Sequence, residues 1–188
     1  MTSPNRPLLA ALALVLLAPN ARAAPPPAPT SPGAGAVAPT GAPKPAPPAG
    51  DWRAARFGMT PEELLAAFPG EAFRLEPEIK LDDGNTVSIG IDGFAMDGLT
   101  FRVRFVFALG RLVLVSLRTD ARTYVEPVAY DRLRGALVAR WGAPVETTSN
   151  DSFIDMRQTR WNVGTVRADL KYIPGVIALV YYPRPGDR

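Results

Sequence analysis

The chain of 188 residues has no cysteine and no histidine. Without a thiol there is no disulfide framework, no thiol redox chemistry and no acceptor for a lipoprotein anchor. Without an imidazole as well, Ser-His-Asp and Cys-His nucleophilic sites and histidine-containing zinc sites are excluded. General acid–base chemistry near neutral pH would fall to a carboxylate or lysine with a strongly displaced pKa. A run of about 20 apolar residues, the length a membrane-spanning helix requires, is also missing. Glycine-rich phosphate loops are absent too, since Gly90, Gly93 and Gly98 do not open a helix.

The longest apolar run, Leu8 to Ala18, follows a single early charge at Arg6 and leads through Pro19 to Ala21-Arg22-Ala23. A short apolar core ending in a small-x-small site is a secretory signal, so residues 1–23 are expected to be removed and Ala24 to become the N-terminus. Residues 24–50 hold ten prolines and eight alanines, with no aromatic residue. Such a segment has nothing to bury and is expected to be a disordered, extended spacer. Residues 51–188 are expected to form one domain in the periplasm or outside the cell, with no stable membrane insertion.

The net charge of +3 does not indicate a nucleic-acid partner. Three of the 21 basic residues, Arg6, Arg22 and Lys44, precede residue 51, while all 18 acidic residues lie from Asp51 onward, so the domain is formally neutral with its cations scattered.

Within the domain, Thr60-Pro61-Glu62-Glu63 is a capping box with proline at the first helical position, predicting a helix over 61–68. Pro127 opens a second helix, on which Tyr130, Leu133, Leu137 and Trp141 share a face, and Gly142 with Pro144 ends it. Strands are expected at 73–80, 86–91, 159–163, 166–173 and 176–182. The alternation of Phe101, Val103, Phe105 and Phe107 predicts a hairpin turning at Leu109-Gly110, with Phe105 facing Leu114 and Val103 facing Ser116. Its other face, with Arg102, Arg104, Val106, Val113, Val115 and Leu117, reads as mixed and partly covered. Asp92-Gly93 and Asp97-Gly98 read as turns. These elements predict an α+β domain, two short helices packed on antiparallel strands, organised as a tandem helix-plus-meander repeat.

The carboxylate pairs Asp92 with Asp97 and Asp151 with Asp155 are the candidates for a hydrolase acting on envelope polysaccharide, the alternative to a binding role. They stand among turn-forming residues, as does the Asp82-Asp83-Gly84-Asn85 cluster, which lacks the spaced acids of a calcium loop. No cofactor or metal is expected. The candidate binding residues are Trp52, Arg102, Arg104, Trp161 and Tyr182, aromatic and guanidinium groups of the kind that dominate protein interfaces.

Gly58-Met59-Thr60-Pro61-Glu62-Glu63-Leu64-Leu65 resembles the helix start of the small lipoprotein of the outer-membrane β-barrel assembly machine and of the β-lactamase-inhibitor-like folds. Trp141-Gly142-Ala143-Pro144, followed by Trp161, Leu170–Tyr172 and Val180–Tyr182, is similar to the ending of secreted proteins of that layout. The resemblance spans most of residues 57–183 and departs from the lipoproteins in lacking the lipidation cysteine. It implies helices against an antiparallel sheet, used for protein binding rather than catalysis; the partner expected for an exported domain is another envelope protein.

Overall fold

The computed structural model describes residues 52–150 and 155–184. The signal segment 1–23, the spacer 24–50 and Asp151 lie outside the described residues. At the first helix the local chemistry is as the residues dictate: the Thr60 hydroxyl accepts from the Glu63 amide at 3.3 Å, and the Glu63 carboxylate accepts from the Thr60 amide at 2.8 Å. This cap starts α1, Pro61–Ala67, which turns Leu64 inward. A second helix, α2, runs Pro127–Trp141 and buries Tyr130, Leu133 and Leu137; it stops at Gly142, whose φ of 84° favours a residue without a Cβ.

Eight strands make up most of what remains: β1 Phe73–Lys80, β2 Thr86–Met96, β3 Leu99–Ala108, β4 Arg111–Thr119, β5 Glu146–Asn150, β6 Met156–Val163, β7 Val166–Ile173 and β8 Val176–Pro183. They form one antiparallel sheet in the order β1-β2-β3-β4-β8-β7-β6-β5. The expected α+β class is therefore corrected: the domain is mainly β, with only two short helices. More of the chain is strand than its turn signals suggested. Asp92-Gly93 does not end β2; it falls within a register irregularity between Ile91 and Phe94, and pairing resumes through Met96. Glu146–Asn150 has no apolar alternation and every residue is exposed, yet its backbone pairs with β6 across five positions.

A helix followed by four strands occurs twice in the element order, and the two meanders meet through their last strands, β4 and β8. That seam joins edges that would otherwise each leave a row of backbone groups unpaired. It is reinforced by the buried Thr119 hydroxyl, which accepts from the Ile177 amide at 3.0 Å.

The hairpin register is corrected as well. Phe107 faces Leu112 as expected, but an irregularity between Val106 and Phe107 slips β4 by one residue, so Phe105 faces Val115 and Val103 faces Leu117. Phe105 and Phe107 remain buried. It is Val115 and Leu117 that join them in the core, while Leu114 is only half-buried. A bulge inserts one residue and flips every side chain beyond it, which alternation alone cannot reveal.

Leu109 stands at the tip of this hairpin, fully exposed, with φ of 49° beside Gly110 at 72°. Two positive φ values are the geometry of a type I′ turn, for which Asn-Gly is favoured and leucine is strained. Leu109→Asn is expected to raise stability by about 1 kcal/mol, read as an upward shift of the urea midpoint; an unchanged or lowered midpoint would contradict that strain.

Candidate binding face

Residues paired across neighbouring strands share a face. Ile91, Val103, Leu117, Leu179, Leu170 and Thr159 form one such row, all buried, and this is the face on which both helices lie. Phe68 of the turn after α1 stands 5.9 Å from Phe105, and Tyr130 of α2 hydrogen-bonds Thr159 at 2.7 Å and lies 6.2 Å from Tyr172. Burial pushes the Tyr130 hydroxyl pKa upward, against the opposing bond to Thr159.

This packing withdraws two of the candidate binding residues from the surface. Trp52 is 4% exposed, set among Phe68, Phe94 and Phe105 at 5.4–5.7 Å. Trp161 is 1% exposed, edge-on to Trp141, with its indole N–H donating to the Gly142 carbonyl at 3.1 Å. Both are core residues that lock a helix end to the sheet, for large aromatics serve cores as readily as interfaces.

The remaining three, Arg102, Arg104 and Tyr182, lie on the opposite face, where none of the described helices packs. One row there crosses all eight strands: Phe73, Gly90, Arg104, Ser116, Val180, Asp169, Arg160 and Glu146. Arg104 lies over Gly90, where a Cβ would come within 2.6 Å of its Nη1, and reaches the Phe73 ring, with the guanidinium donating to Asp92 at 2.8 Å and to its neighbour's carbonyl, Val103, at 2.9 Å. Arg102 is ion-paired with Asp120.

At the other end, Asp169 is 1% exposed and accepts from Arg160 and Arg167 at 3.0 Å each. Arg160 also pairs with Glu146. Burial alone would lower the Arg160 pKa, but the hydrogen bond and charge of Asp169, joined by Glu146, outweigh it and hold it raised. Arg167 lies 4.8 Å above the Tyr182 ring, and burial drives the Tyr182 hydroxyl pKa up to about 12. The face is not simply solvent-exposed on β7 and β8, for Val180 and Asp169 are as buried as residues on the helical side.

A parallel row holds two cations outside the candidate set, Arg118 and Lys171. Arg102, Arg118, Ala178, Lys171, Gln158 and Thr148 follow one another across six strands. Lys171 is legible in the β7 alternation. Its proximity to Arg118 depends on the β4–β8 seam, for which the sequence carries no local signal.

The three described carboxylates among those considered for hydrolysis are turned to cations. Asp92 bonds Arg104, Asp97 lies 3.9 Å from Arg140, and Asp155 bonds Arg157 at 2.8 and 2.9 Å. Asp83 accepts from the Asn85 amide at 3.0 Å, as a turn-forming aspartate does. Among the described residues no three acidic side chains are grouped as metal ligands. No family model, curated protein or solved structure matches the chain.

Proposed function

We propose that this is an exported, non-catalytic binding or scaffold domain of the cell envelope, which engages another envelope protein through the helix-free face of its sheet. The observation that carries the reading is the difference between the two faces. One is sealed by α1 and α2. The other presents Arg102, Arg104, Arg118, Arg160, Arg167, Lys171 and Tyr182 with only the adjoining carboxylates to answer them, and arginine and tyrosine are the residues on which interface energy concentrates. A chain without histidine or cysteine, whose described aspartates are committed to arginines or turns, favours binding over catalysis. The expected export signal and spacer, and the resemblance to assembly lipoproteins and β-lactamase-inhibitor-like folds, agree with a tethered protein-binding role.

The test is site-specific photocrosslinking in envelope extract. A benzophenone side chain at Gln158 or Thr148, on the helix-free face, is expected to yield a discrete protein adduct, whereas one at Ala66 or Arg132, on the helices, is expected to yield none. Adducts from the helical positions alone, or from no position, would overturn the reading.

A further inference from the structure

The row Arg102–Arg118–Ala178–Lys171 places two cations in unusual isolation. Arg102 and Arg118 are direct cross-strand neighbours, a like-charged pairing that disfavours the sheet, and Asp120 answers only Arg102. Arg118 and Lys171 stand on either side of Ala178, two strand spacings or roughly 10 Å apart at the backbone. Among the described residues neither has a hydrogen-bond or ion-pair partner. Both are half-buried, and burial lowers both pKa values, with Asp169 only partly offsetting the effect for Lys171. A partly desolvated charge without a counter-charge is a cost that a bound anion would remove.

Beside this row runs an apolar strip on the same face. Ile173 pairs with Val176, and Met156 precedes Arg157, whose opposite number Tyr172 points to the core. Met156 is 43% and Ile173 41% exposed. A cation pair beside an exposed apolar strip calls for a ligand that alternates carboxylate and apolar side chains. A protein segment does so and an acidic polysaccharide does not. The chain's own spacer, residues 24–50, has no acidic residue and so cannot supply the anion.

Resting on the binding role proposed above, we infer that the helix-free face takes an extended acidic segment of a partner protein. A carboxylate sits over Ala178 between Arg118 and Lys171, and an apolar side chain lies on Met156, Ile173 and Val176. The guanidinium offers a bidentate fork to the carboxylate and the ammonium a second contact, a combination arranged for carboxylates.

The probe is a fluorescein-labelled peptide of alternating Glu and Leu, titrated with the full mature chain by anisotropy, against alternating Gln-Leu and Lys-Leu peptides and sodium alginate. Only the Glu-Leu peptide is expected to bind, weakening with salt. Arg118→Gln with Lys171→Gln should weaken it at least tenfold, with the circular-dichroism melt retained. Equal binding of the Gln-Leu peptide, unchanged affinity in the double variant, alginate binding in place of the peptide, or self-association as the sole activity of the face would each overturn the inference. Crosslinks from Gln158 that persist undiminished in the double variant would refute the acidic segment while leaving the binding face intact; loss of all such crosslinks from the wild-type chain would remove both.

Discussion

Truncation of Phe105 to alanine is expected to cost the domain about 3–5 kcal/mol, a large share of the roughly 5–15 kcal/mol that holds a domain of this kind together. Phe105 is fully buried on β3, where the first helix meets the sheet: Trp52 at 5.7 Å and Phe68 at 5.9 Å pack on it from the segments flanking α1, and Val115 faces it from β4. Removing the ring leaves a cavity lined by other aromatics, which cannot collapse into it without leaving their own contacts. Phe73→Ala, at a half-buried ring on the edge strand β1, should cost much less. Urea unfolding followed by circular dichroism measures both. A loss at Phe105 no larger than at Phe73 would mean that the core is not organised around β3.

Replacing Asp169 by alanine is expected to destabilise the domain by about 3–5 kcal/mol as well, by an electrostatic route. Asp169 is the single buried acid between Arg160 and Arg167, and its loss leaves two partly buried guanidiniums facing one another with only the exposed Glu146, beside Arg160, to answer them. Asp169→Asn keeps the volume and some hydrogen bonding and should fall between alanine and wild type. Glu146→Gln, at the exposed end of the same network, should cost less than about 1 kcal/mol. If the melting temperatures of Asp169→Ala and Glu146→Gln drop equally, the buried triad does not support the sheet as described.

These two positions differ in how far the sequence exposes their roles. Phe105 is legible because alternating Phe, Val, Phe, Phe against Arg and Thr can settle only one way on a half-buried strand. Asp169 looks from its surroundings like one more polar residue on a solvent face. Its burial follows from Arg160 on β6 and Arg167 on its own strand converging on it, a consequence of register. Likewise Trp52 and Trp161 carry no mark telling interface from core, since the decision depends on whether a helix end lands on them.

The sequence by itself determined the elements whose causes lie within a few residues. Thr60 and Glu63 cap α1 across one turn, Pro127 and Gly142 bound α2, and Leu109-Gly110 turns the β3–β4 hairpin. The absence of histidine and cysteine likewise settled which chemistry the chain cannot perform. Tertiary structure alone decided that two meanders become one sheet through β4 and β8, that a bulge at Val106–Phe107 turns Val115 and Leu117 inward, and that Arg118 and Lys171 flank Ala178. The physical reason is range. Caps and turns are fixed by hydrogen bonds and φ preferences between near neighbours, whereas strand pairing is chosen by the total burial of a whole face and joins residues as far apart in sequence as Thr119 and Ile177, 58 positions.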